Sequence, residues 1–204
     1  VRSVRYFSFL ECDFHSRQLV VARSGYSKQG GYEIFLDDSP VGITLWDTLW
    51  EAGADLQVAP GCPNLIERIE AGLLSYGNEM TRENNPLEIN LDRFCHLEGE
   101  IDYIGRSALE AIAAQGPSQR MRGLLIDGTP CPPCGKPWPV LVGDIKVGQV
   151  TSAIWSPTFR QNVGLSLIDK DHWHPGTPVT VLLPDGHELD AVIASLPFTV
   201  SSST

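Results

Sequence analysis

The chain has 204 residues, with 25 acidic against 15 basic side chains and a net charge of −10. That balance argues against a nucleic-acid partner, which needs many phosphates neutralised by counterion release, but not against a small anionic ligand, which needs only a local cluster. No apolar run approaches membrane-spanning length, so no membrane partner is expected and the cytoplasm is the expected compartment.

The first residues alternate Val4, Tyr6, Ser8 and Leu10 against Arg5, Phe7 and Phe9. This predicts a strand entered without preamble, as in the C-terminal part of a longer protein. Strands over 4–10 and 17–22 are expected around a turn at 12–16, with a third over 31–36. Ser39 as N-cap and Pro40 at the first position open a helix that Gly53 stops, and its stripe of Ile43, Leu45, Trp46, Leu49 and Trp50 is expected in the core. A second helix is expected over 64–72, with Leu65, Ile66 and Ile69 inward, and a third over 106–115, ended by Gly116-Pro117. Beyond it no helical period appears. Six short β-rich runs follow, at 120–126, 138–142, 145–154, 162–167, 178–183 and 188–195, with Asp185-Gly186 as a hairpin turn pair. The expected fold is α+β, residues 1–117 forming one domain and 118–204 a small sandwich or barrel.

Five cysteines, Cys12, Cys62, Cys95, Cys131 and Cys134, are an odd and scattered set, expected as free thiols. Cys131 and Cys134 have the spacing of a redox pair, but Pro130, Pro132, Pro133, Gly135 and Pro137 forbid the helix that such a pair needs. His172 and His174 lack a third ligand, so no metal is expected.

One stretch stands apart. In ARSGYSKQGGYEIF, residues 22–35, a carboxylate, Glu33, lies between Tyr32 and Ile34 in a strand that follows a glycine-rich loop. Simple alternation turns Glu33 to solvent, opposite Tyr32 and Ile34. The alternative is a carboxylate that serves a ligand, since a buried one is costly without donors. The residues alone leave both readings open.

ARSGYSKQGGYEI resembles the ARTGYTGEDGFEI stretch of the glycine-cleavage T-protein family of folate-dependent methyl and aminomethyl transferases. RIEAGLLSYG (68–77), NPLE (85–88), YIGRSAL (103–109), GQVTS through SP and NV (148–163) and PGT (175–177) resemble further blocks of that family in the same order. The resemblance implies the second half of a folate-binding domain followed by the family's C-terminal β-barrel, with tetrahydrofolate as cofactor. It also implies that Glu33 holds the pterin ring: one carboxylate accepts from the amino group and ring N–H that the pterin presents side by side. Tyr32, Arg68 and Tyr76 join it as implied cofactor-binding residues. Arg68 and Glu70 also read as a structural pair, and Tyr76 as a rim or core residue.

Departures from the family narrow the reading. Lys28-Gln29 replaces its acidic pair, Asn64 stands where aminomethyltransferases carry an arginine, and the tail LPFTVSSST lacks their aromatic residues. RSGYSKQGGYEI with PGCPNLIERIEAG is similar instead to the dimethylsulfoniopropionate demethylase branch, which moves a methyl from a sulfonium to tetrahydrofolate. The implied partner is then a small-molecule methyl donor. A lipoylated carrier protein belongs to the aminomethyltransferase alternative, and self-association stays open. A third alternative is a non-catalytic folate-binding relative. Trp46, Trp50, Trp155 and Tyr32 offer aromatic surfaces to a cation. The family's N-terminal segment supplies part of the folate cradle and an aspartate near the transferred carbon; this chain has no counterpart, so no catalytic residue is assigned.

Overall fold

The computed structural model describes residues 2–37, 39–61 and 65–199. Cys62, Asn64 and the end of the serine-rich tail lie outside the described residues. The chain divides into two compact units, Val1–Asn64 and Leu65–Thr204. The boundary expected near 117 marks where helical periodicity ends. Compactness groups the residues differently, keeping 65–117 with the strands of the C-terminal half.

In the first unit a three-stranded antiparallel sheet runs β1 (Phe9–Phe14), β2 (Arg17–Ala22) and β3 (Glu33–Phe35). The first strand therefore lies later than the N-terminal alternation suggested. His15 and Ser16, with φ of 46° and 62°, make a two-residue turn with both central residues left-handed. That turn twists with its strands, so pairing runs from Phe14↔Arg17 out to Phe9↔Ala22 and leaves no room for a wider loop at 12–16.

Helix α1 spans Ser39–Ala52 and stops before Gly53, as its punctuation predicts. The expectation that its stripe forms core is corrected: none of its residues is buried, and Ile43, Trp46 and Trp50 are 71%, 55% and 42% exposed. Periodicity specifies that a face wants cover. It does not specify that the cover lies among these residues.

The second unit holds α2 (Leu65–Glu70), α3 (Arg106–Gln115) and six strands: β4 (Gln119–Ile126), β5 (Trp138–Val142), β6 (Ile145–Ser156), β7 (Gln161–Asp169), β8 (Pro178–Leu182) and β9 (Glu188–Ala194). The strands close into an antiparallel barrel in the order β4-β7-β6-β5-β8-β9. Closure removes both sheet edges. Its interior is filled by Leu124, Ile126, Trp138, Val140, Val147, Val150, Ile168, Val181 and Ile193. The alternate residues of β4 and β7, Met121, Val163, Leu165 and Leu167, face outward and pack with Ile69 of α2 and with Ile89. These strands therefore bury apolar side chains on both faces, although β4 also carries Arg120 and Arg122 and β7 buries Asn162 and Ser166. Asp185-Gly186 turns β8 into β9 with Gly186 at φ 87° and the Asp185 side chain accepting from His187 N at 3.1 Å.

Strand β6 carries two irregularities, one at Val147 against β5 and one against β7. Its register against β7 passes from Val150↔Ser166 to Ser152↔Leu165, leaving Thr151 as the extra residue of a β-bulge. Val150 and Ala153 both point to the interior core, while Thr151 and Ser152 point away from it together.

Candidate functional site

The loop between β2 and β3 carries Gly25, Gly30 and Gly31, and a side chain built on any of the three would meet no atom within 4 Å. Its base is held by Tyr6, whose hydroxyl donates to Gln29 O at 3.0 Å, and by Arg23, which donates to Val4 O at 2.9 Å and lies over the Tyr6 ring. The result is backbone left open at its three glycines, two of which, Gly30 and Gly31, lead into β3. Glu33 starts that strand opposite Ala22 and is exposed. Ser24 donates its hydroxyl to Glu33 Oε2. Exposure satisfies the alternation reading, and it also leaves a planar two-oxygen acceptor beside bare backbone. That is the donor–acceptor complement of a flat heterocycle with adjacent N–H groups. Tyr32, next to it, is half-exposed.

Trp46 and Trp50, one helical turn apart on α1, stack with centroids 5.9 Å apart and planes 17° from parallel. With Asp47, Glu51 and Pro60 they line an open hollow. Two aromatic faces and two carboxylates make a surface complementary to a cation.

Arg68 and Tyr76 belong to the second unit. Arg68 lies on α2 and is withdrawn from solvent, its side chain 6% exposed against 0% for its partner Glu79. Arg68 Nη1 donates to Glu79 Oε2 at 3.0 Å and to Leu73 O at 3.2 Å, while Nη2 donates to Ser152 Oγ at 2.7 Å. Glu79 Oε2 also accepts from Ser75 N at 2.6 Å, and Oε1 accepts from Ser152 Oγ. Thr151 Oγ1 lies 3.3 Å from Oε1 and 3.0 Å from Leu165 O. The bulge makes this possible: on a regular strand the hydroxyls of Thr151 and Ser152 would leave opposite faces. Arg68 thus acts here as a strut that ties α2 and the 73–80 loop to β6. Tyr76 rides on that loop, 69% exposed and bridged to Met80. Glu70, the other charged member of the motif, accepts from the Ser156 hydroxyl and from Thr158 Oγ1 at 3.1 Å.

Cys131 and Cys134 lie in the loop before β5, packed against the barrel interior. Burial, with the Cys131 thiol and the Glu79 carboxylate adding to it, pushes the Cys134 thiol up to about 11. Burial raises Cys131 as well. A raised thiol stays protonated through the range where an ordinary cysteine ionises, so the reactive thiolate gains population only as pH climbs toward that value. Iodoacetamide should therefore label Cys134 slowly at pH 8 and progressively faster as pH approaches 11, followed by site-resolved mass spectrometry. Rapid modification at pH 8 would contradict the buried thiol.

Sequence reasoning missed Glu79, which in GNEM looks like any surface acid, and Ser24, which only the fold brings to Glu33. Residues 1–99 match the family described as GCVT N-terminal domain, and residues 119–199 the Glycine cleavage T-protein C-terminal barrel domain. The chain belongs to the glycine-cleavage T-protein family. It is 52% identical over 186 residues to dimethylsulfoniopropionate demethylase DmdA of Ruegeria pomeroyi, covering 91% of this chain and 50% of that protein. To an aminomethyltransferase of Symbiobacterium thermophilum it is 36% identical over 183 residues, 88% of this chain and 48% of the relative. The glycine cleavage system aminomethyltransferase T from Bartonella henselae shares the fold at TM-score 0.76 and 22% identity, over 98% of this chain and 54% of that one. The chain spans about half the length of the relatives it matches.

Proposed function

We propose that this chain works within a tetrahydrofolate-dependent demethylase that takes a methyl from a sulfonium such as dimethylsulfoniopropionate. The observation that carries the reading is the 52% identity to a dimethylsulfoniopropionate demethylase, against 36%, 34% and 31% to three aminomethyltransferases. Tetrahydrofolate, when bound, would supply the nitrogen that takes the methyl and would release that nitrogen's proton to solvent, while the C–S bonding pair stays on sulfur and a thioether leaves. A sulfonium is already a good leaving group, so the protein's tasks are alignment, desolvation and cation stabilisation. Glu33 fits the first of these, as an exposed two-oxygen acceptor held by Ser24 at the end of a glycine-rich loop. Tyr32 adds an aromatic face beside it. The Trp46–Trp50 pair with Asp47 and Glu51 suits a cation. Arg68 enters as a positioning residue that fixes the loop carrying Tyr76. The cytoplasm is the proposed compartment. Among the described residues no helix is long and apolar enough to cross a membrane.

Classical aminomethyl transfer from a lipoylated carrier protein is the second reading, favoured by relatives of 31–36% identity that carry that name. Supplied with tetrahydrofolate and dimethylsulfoniopropionate, the full-length protein should form methyl-folate and the demethylated thioether in equal amounts, measured by mass spectrometry. Methylene-folate and ammonia from an aminomethyl carrier, with the sulfonium untouched, would give the second reading the field. Tight folate binding without turnover of either donor would identify a non-catalytic relative.

A further inference from the structure

Arg120 and Arg122 stand two apart on β4, on the same face as Leu124 and Ile126, whose side chains fill the barrel interior. Trp173, from the β7–β8 connection, packs against that interior. Both guanidinium carbons lie 5.5 Å from the centroid of its ring. Arg122 is anchored, donating from Nε to Trp173 O at 2.8 Å and from Nη1 to Met121 O at 2.9 Å. Arg120 is not: its Nε is buried and has no hydrogen-bond partner among the described residues. Neither arginine is ion-paired with a carboxylate among those residues, in a chain that carries 25 of them.

Two like charges gathered on one indole repel each other, and an orphaned buried donor costs free energy. The pressure is visible on Arg122, whose pKa is lowered by burial and by the charge of Arg120. Cation–π contact with Trp173 rewards each guanidinium separately but leaves the pair's mutual repulsion and the Arg120 Nε unanswered. A third group that accepts hydrogen bonds and carries negative charge removes both costs.

We propose that Arg120, Arg122 and Trp173 form an anion site that takes a compact dianionic oxyanion of the phosphate class. A carboxylate cancels one of the two charges. A phosphate group at neutral pH carries close to two and presents three or more acceptor oxygens, enough for two forked donors. The chemistry is shared by free phosphate and by a phosphate monoester. It is independent of the folate reading, since it uses no residue invoked there.

Inorganic phosphate titrated calorimetrically into the chain at constant ionic strength should bind saturably with one site, accompanied by a change in tryptophan fluorescence. Arg120→Gln should weaken binding at least tenfold. Arg120→Lys, which retains the charge and the aliphatic stem and so preserves the fold, should weaken it severalfold because the forked donor is gone. Trp173→Phe should retain the heat and lose most of the fluorescence change. Glycerol phosphate run in parallel separates the two sources: tighter binding than phosphate identifies a monoester site, weaker binding a site for the free ion. The proposal is overturned if phosphate gives only dilution heat, if Arg120→Gln binds as the parent does, or if malonate binds more tightly than phosphate.

Discussion

Glu33→Gln, made in the full-length protein, is expected to weaken tetrahydrofolate binding roughly ten- to hundredfold while leaving the fold intact. The substitution keeps size and shape but removes the charge and turns one acceptor oxygen into a donor. Losing a charge-assisted, two-point acceptor costs on the order of 1.5–3 kcal/mol, and each ~1.4 kcal/mol is a factor of ten. Stability should hardly change, because Glu33 is exposed and its hydrogen bond is with the neighbouring Ser24. Turnover should fall together with affinity, since a pterin free to tilt loses the in-line approach that methyl transfer needs. Calorimetry on the parent and variant decides the matter: an unchanged dissociation constant removes Glu33 from the site.

The second large effect is on stability. Arg68→Met leaves Glu79 charged, inaccessible and without its counter-ion, and is expected to destabilise the barrel unit by about 3–5 kcal/mol. Glu79→Gln alone should cost in the same direction, leaving a buried guanidinium against an amide. The double variant Arg68→Met/Glu79→Gln should recover a good part of either loss, because no net charge then remains in the interior and the introduced amide oxygen can still accept from Ser75 N. Urea unfolding followed through tryptophan fluorescence, to which the barrel unit contributes Trp138, Trp155 and Trp173, reads all three. A single-variant cost below about 1 kcal/mol, the range of exposed pairs, would show that water reaches the pair.

The two halves of this chain differ in how openly their sequence declares them. All six barrel strands are legible because β-branched runs alternate with Gly, Pro and Asp-Gly punctuation, and strand periodicity needs only local information. α1 and α3 are legible for the same reason, from Ser39-Pro40, Gly53 and Gly116-Pro117. The Phe9–Phe14 strand is not, because its bounds follow from a left-handed His15-Ser16 turn that residue type does not announce. At the candidate site, Glu33 is conspicuous as a carboxylate beside a glycine loop, and its exposure follows from alternation. Arg68 is conspicuous too, yet its engagement with Glu79 depends on partners 11 and 84 positions away, and on a bulge that turns Thr151 and Ser152 to one side. Pairings of that range are set by packing, which no local pattern encodes.

The bulge at Thr151 bears on where this protein can be divided. The family's two matched segments part between residues 99 and 119, which invites the view of two interchangeable modules. The hydroxyls that complete the Glu79 cluster, however, come from residues 151 and 152, across that seam. A truncation at 117 would strand Arg68 and Glu79 with part of their shell removed, whereas one at 64 keeps the cluster whole. The same logic constrains grafting: a foreign barrel lacking two consecutive hydroxyls on a bulged strand would present one where two are needed. The compact unit that keeps this carboxylate's coordination whole begins at α2.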